Sequence, residues 1–146
     1  MQMVMTAITA QQVESAVRRY WRVLADKRSG EMTGFYSYDA VVFHPFAVRP
    51  EPGRVSAARK EREYFDSETI FKPEIVGHIE VQVLSDDLAI ASYNFRWKAT
   101  NMKHDVLGNR HDKAVRDGRA TQLFRLTPEG ELKIVNEHLS DVWRDK

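Results

Sequence analysis

The stretch that decides the fold is Ala89-Ile90-Ala91-Ser92-Tyr93-Asn94-Phe95-Arg96-Trp97-Lys98-Ala99. Ala89, Ala91, Tyr93, Phe95, Trp97 and Ala99 share one side of a two-residue period, and Ser92, Asn94, Arg96 and Lys98 share the other. Successive side chains of a strand point to opposite faces, so this segment reads as a strand with an aromatic face toward a core and a polar face outward. Just upstream, Ile75, Ile79, Val81 and Val83 alternate with His78, Glu80 and Gln82, and Ser85-Asp86-Asp87 supplies the turn between the two runs. Downstream, a polar stretch over residues 101–117 reads as a loop or hairpin tip. A strand from about Arg119 to Leu126, the turn Thr127-Pro128-Glu129-Gly130 and a last strand from Leu132 to Ser140 follow it.

The first half of the chain carries the helical period instead. Val13, Ala16, Val17, Tyr20 and Leu24 recur at i, i+3, i+4, i+7 and i+11, and Trp21 and Val23 widen that stripe. Thr9 and Gln12 have capping-box spacing, and Gly30 is the expected stop. A short second helix is expected over Glu31 to Tyr36, then a β-prone run Ala40-Val41-Val42-Phe43 closed by His44-Pro45. Pro45 to Gly53 reads as a loop or a short edge piece. Ser56 to Phe65 reads as a helix whose charges (Arg59, Lys60, Glu61, Arg62, Glu63) form a solvated face. Helices first and a four-strand meander after them indicate an α+β fold. Its strongly curved antiparallel sheet would wrap around the N-terminal helices and leave a pocket between the layers.

Composition narrows the chemistry. The 146 residues match one domain, expected over 1–146 with a flexible segment at 1–8, and a chain of this size buries roughly 70% of its unfolded surface. With no cysteine, disulfides, thiolate nucleophiles, iron–sulfur clusters and cysteine zinc sites are excluded. Lys+Arg number 22 against 21 Asp+Glu, a balance that argues against a nucleic-acid-binding face. No apolar run approaches the ~20 residues of a membrane span, and Met1 to Ala10 lack the pattern of a signal peptide, so a cytoplasmic protein is expected. His104-Asp105 and His111-Asp112 form a near-repeat without the spacing of a compact metal site, so no metal is assigned to them.

Several segments taken together resemble a known fold. They are Arg19-Tyr20 on the opening helix, Phe35-Tyr36-Ser37-Tyr38-Asp39-Ala40-Val41, Phe43-His44-Pro45, Gly53, Gly118-Arg119-Ala120-Thr121, Phe124-Arg125-Leu126, Glu129-Gly130 and Glu137-His138-Leu139-Ser140. In this order they resemble the nuclear-transport-factor-like cone fold, and within it the SnoaL-like and ketosteroid-isomerase-like proteins, from Val13 to Ser140. The resemblance implies a cone-shaped roll of a curved, mixed sheet with an internal pocket. In ketosteroid isomerases a helix tyrosine and a protonated acid hold the developing oxyanion while an aspartate moves the proton. At the matching positions stand Tyr20, Gln122 and His44, so only the tyrosine is kept and the steroid isomerase reaction is not expected.

The same resemblance turns Val135, Glu137 and Leu139 of the last strand toward the pocket, and Ile134, Asn136, His138 and Ser140 away from it. Trp21, Tyr93, Phe95, Trp97, Phe124, Gln122 and Leu139 are expected to contact a ligand. His44, Glu137 and Tyr20 are the candidate catalytic groups. A carboxylate facing an apolar cavity needs a partner, and the expected partner of Glu137 is His44, in a dyad that orients the imidazole and raises its basicity. Histidine titrates near neutrality and can carry a proton.

Three functions are compatible with these residues. The first is a cofactor-independent acid–base enzyme (isomerase, dehydratase or cyclase type) on a small apolar or polyketide-like substrate, with Tyr20 and Gln122 binding an oxyanion. The second is a non-catalytic ligand-binding or oligomerisation module similar to the association domain of calcium/calmodulin-dependent kinases. The third is a supporting subunit of a larger enzyme. A homodimer through the outer sheet face and a small-molecule ligand are the expected partners.

Overall fold

Thr9 starts the first helix as its spacing predicts. Its hydroxyl accepts from the Gln12 N–H, and the Gln12 side chain accepts from the Thr9 N–H, closing the capping box of α1 (Ala10–Ala25). The helix is closed by Lys27, just beyond its C-cap Asp26, rather than by Gly30. Lys27 takes the left-handed conformation (φ 53°), its N–H bonds to the Leu24 carbonyl, and the Arg28 N–H bonds to that of Val23. This is the Schellman closure, reached without glycine. Gly30 serves another contact: its N–H donates to Glu61 at 2.7 Å.

The computed structural model describes residues 7–45, 47–65, 69–101 and 112–141, without the side chains of residues 69, 101 and 112–114. After α1 come a short 3-10 turn (Met32–Phe35), β1 (Tyr36–Phe43), the two-residue β2 (Glu51–Pro52) and α2 (Gly53–Tyr64). Then follow β3 (Thr69–Val83), β4 (Leu88–Asn101), β5 (Asp112–Leu126) and β6 (Leu132–Asp141). One six-stranded sheet has the order β2-β1-β6-β5-β4-β3. The last four strands form the expected meander, and β1 pairs in parallel with β6, which makes the sheet mixed. The α+β class read from the sequence is thus the observed one. Ile8, assigned in expectation to a flexible segment, is buried, and its N–H donates to the Asp86 carbonyl at 2.7 Å. Among the described residues, no helix is long and apolar enough to cross a membrane.

The period-2 reading of β4 places Ala89, Ala91, Tyr93 and Phe95 in the core, against Val13, Val17, Tyr20, Trp21 and Leu24 of α1. Two strands depart from strict alternation. Between Val76 and Glu80 of β3 three residues stand opposite one residue of β4, with Gly77 at φ +76° absorbing the bend. On β6, Leu123 pairs with Asn136 while Phe124 pairs with Ile134, so Val135 is an extra residue. That bulge resets the faces: Ile134, expected outside, is fully buried, whereas Val135 is only partly so. Glu137 and Leu139 do face inward as expected.

β5 begins at Asp112, well before the expected Arg119. Its first half is polar, so periodicity does not reveal it. Cross-strand ion pairs line this part: Arg96 to Asp117 at 2.7 Å and Arg116 to Asp141 at 3.1 Å. His104, Asp105 and His111 lie outside the described residues, as does the side chain of Asp112.

Candidate functional site

Four elements converge on Glu137. Gln122 of β5 stands directly opposite it in the ladder, and their side chains meet on the inner face, Gln122 Nε2 donating to Oε2 at 2.7 Å. Tyr36, at the start of β1, donates to Oε1 at 2.8 Å, and Tyr20 of α1 donates to the same oxygen at 3.3 Å. Lys60 of α2 places its ammonium 3.2 Å from Oε1. Glu137 is fully buried and Lys60 nearly so. Burying a carboxylate is costly unless it is paired and hydrogen-bonded, and here both oxygens are satisfied.

The network extends in two directions. Lys60 also donates to Ser56 at 2.7 Å, one helical turn back, and to the Tyr36 hydroxyl at 3.2 Å. On the other side Gln122 Oε1 accepts from Tyr93 at 2.8 Å, and the Tyr93 hydroxyl accepts from Trp21 Nε1 at 2.8 Å. Burial, reinforced by the Glu137 charge, raises the hydroxyls of Tyr20 and Tyr36 well above the ordinary tyrosine range. Burial does the same for Tyr93. All three stay protonated as donors.

This geometry changes the roles read from the sequence. Tyr20 and Gln122, expected to hold a substrate oxyanion, direct their donors to the chain's own carboxylate. The cation beside Glu137 is Lys60, where His44 was expected. Lys60 was read as part of a solvated charge run. The available signal was the face it completes, since Lys60 follows the small residues Gly53 and Ala57 at helical spacing (i, i+4, i+7) on the side that packs inward. Tyr36 and Ser56 were missed as well: Tyr36 was read only as part of a fold-bearing segment, and Ser56 only as the start of a helix.

His44 follows β1, buried, at the edge of a cavity of about 30 Å³. Trp21, Leu24, Pro45, Lys60, Tyr64, Phe71, Phe95, Trp97 and Leu139 complete its lining. Burial lowers the His44 pKa to about 4, helped by the positive charges of Lys60 and Arg59 and opposed by Glu137. The imidazole is therefore neutral at pH 7, and its environment works against the increase in basicity expected of a dyad. Burial pushes the Tyr64 hydroxyl up to about 12.

Of the expected ligand contacts, Trp21, Phe95, Trp97 and Leu139 line this cavity with His44, whereas Tyr93 and Gln122 belong to the polar network and Phe124 to the core. The cavity itself is far smaller than the roughly 300–1,000 Å³ of ligand sites. Aromatic rings packed on one another crowd its lining. Tyr64 stacks on Phe71 with ring centres 4.2 Å apart, and Trp97 lies 5.8 Å from Phe71. Among the described residues, no group of three histidine or carboxylate side chains is placed to hold a metal.

No protein-family model matches the chain, and no curated protein does. Solved structures do. A nuclear transport factor 2 (NTF2-like) superfamily protein from Salmonella enterica serovar Typhimurium superposes with a TM-score of 0.76 at 14% identity, covering 93% of this chain and 92% of that one. A ketosteroid isomerase-like protein from Erwinia carotovora atroseptica gives 0.68 at 18%, covering 90% and 95%. The beta subunit of the benzoate 1,2-dioxygenase from Burkholderia mallei gives 0.71 at 16%, covering 97% and 93%. At these identities the likeness establishes the fold alone.

Proposed function

We propose that this chain, which has the NTF2-like cone fold, is a small-molecule-binding protein whose ligand enters the cone beside His44. One observation carries the reading: a buried histidine and a buried lysine face a cavity otherwise walled by aromatic and aliphatic side chains. A mostly apolar wall with a few convergent polar groups is the composition of a small-ligand site. The ligand must displace side chains from so small a space, and Tyr64 and Trp97, both half-buried, are the movable walls. The fitting ligand is compact and largely apolar, with one oxygen function that reaches the imidazole.

Turnover, in this reading, is a cofactor-independent proton transfer of the isomerase or dehydratase type, with His44 as the proton carrier. A neutral imidazole can accept a proton from carbon or donate its N–H to an oxygen. Lys60 supplies a positive field next to it. Glu137, Tyr20 and Gln122 hold that lysine in place and leave the chemistry to His44. The protein works as a cytoplasmic homodimer through the outer sheet face, where Phe43 and Val41 are partly exposed and the Phe43 ring lies tilted against His138 with centres 5.5 Å apart.

Two measurements test the proposal. Trp21 and Trp97 line the cavity, so titration with small cyclic ketones should quench their fluorescence saturably, and Trp97→Phe should shrink the signal. Exchange of the ketone α-protons in deuterated water, followed by NMR, should be accelerated by the protein and lost in His44→Ala. Absence of saturable quenching overturns the binding site, and unchanged exchange in His44→Ala overturns the role of the histidine.

A further inference from the structure

Another cavity among the described residues lies outside the cone. It is an open cleft of about 920 Å³ between the first half of α1, the 3-10 turn and the β5–β6 hairpin. Ala16, Phe35, Leu126 and Leu132 line it with apolar surface; Phe35 is buried and the other three partly so. Its polar groups include Gln11, Gln12, Ser15, Arg19 and Lys133. It shares no lining residue with the cavity beside His44.

The charge in this cleft is mainly positive. The Arg19 guanidinium lies 5.1 Å from the centre of the Phe35 ring. The first turn of α1 opens onto the cleft through Gln11 and Gln12 and carries no acidic residue, so its positive dipole end has no local counter-charge. Glu131 is the one carboxylate in the lining, and it lies 3.4 Å from Lys133, whose ammonium also donates to the Gly34 carbonyl at 2.6 Å. Apolar surface bordered by an arginine and a helix N-terminus suits a ligand with an apolar body and one anionic group.

We propose that this cleft is a second binding site, separate from the cone, for an amphiphilic organic acid. Its apolar body rests on Ala16, Phe35, Leu126 and Leu132, and its carboxylate meets Arg19. The volume fits a ligand of drug-like size.

The test uses 4-phenylbutanoate as the probe and the uncharged 4-phenylbutan-1-ol as its control, both titrated into isotope-labelled full chain and followed by NMR. Saturable shifts should cluster at Gln12, Ala16, Arg19, Gly34, Gly130 and Lys133, with the acid binding roughly tenfold more tightly than the alcohol. Arg19→Gln keeps a stem over Phe35 and removes the charge; it should reduce acid affinity by about the same factor and leave the alcohol unchanged. Equal affinity for acid and alcohol overturns the proposal, as do acid shifts confined to His44 and the Trp97 indole, or no saturable shift. Binding at the cone can fail or succeed without altering these outcomes.

Discussion

The Lys60 ammonium sits 3.2 Å from Oε1 of Glu137, with both side chains removed from solvent. This pair ties α2 to the centre of the sheet. The same helix also buries Gly53, Ser56 and Ala57, stacks Tyr64 on Phe71 and accepts the Gly30 N–H at Glu61. Breaking a buried pair leaves an uncompensated charge, which typically costs about 3–5 kcal/mol. Lys60→Met should therefore lower stability by about that much in urea denaturation. Adding Glu137→Gln should cost less than the sum of the two single changes, because the orphaned charge is gone. Strict additivity would mean that the two groups do not interact energetically.

Gly118 pairs with Phe95 across the ladder, and a β-carbon there would lie 2.2 Å from the nearest ring atom. Phe95 is buried against Trp21, with ring centres 4.7 Å apart, and cannot withdraw freely. Gly118→Ala should lose about 1–3 kcal/mol by overpacking. Phe95→Leu in the same chain should return part of that loss in thermal melts.

His44 carries a pH prediction. Its folded pKa, about 4, lies below the ordinary histidine value of 6.5. Between these values the unfolded chain binds a proton that the folded chain does not, so stability falls as pH drops through that window. The contribution of one such group approaches about 1.4 kcal/mol per pH unit. Replacing His44 by Gln should flatten the pH dependence between pH 6.5 and 4 by up to this slope, measured as denaturation midpoints. Parallel profiles for the two proteins would refute the shift.

Thr9→Ala should remove the hydroxyl that caps the Gln12 N–H and cost about 1 kcal/mol. Thr9→Ser, which keeps the oxygen, should recover most of it. A loss equal in both variants would assign the effect to packing instead of the cap.

Some of the site was legible before folding. Tyr20, Trp21 and Phe95 lie inward as the helical stripe and the alternation of β4 indicate, and Glu137, Gln122 and Leu139 lie inward as the family resemblance implies. Their partners were not legible. Lys60 sits in a run of charges where its neighbours Arg62 and Glu63 are exposed, so local composition points to solvent. Only the approach of α2 to β6 turns that one lysine into a counter-ion. The expected role of Tyr20 and Gln122 changed for the same reason, since the group that takes their hydrogen bonds comes from another strand.

By itself, then, the sequence determined the class of every long element and the strand meander, because periodicity and capping are local. It determined the aromatic interior through β4. Tertiary structure decided the rest. The parallel pairing of β1 with β6 joins residues almost a hundred positions apart, and the extra residue at Val135 moves Ile134 into the core. The balance of charge around Glu137 was decided there as well. A buried carboxylate is stable only when its donors arrive together, and those donors come from α1, β1, α2 and β5. No local stretch of sequence contains that convergence, and folding alone brings it about.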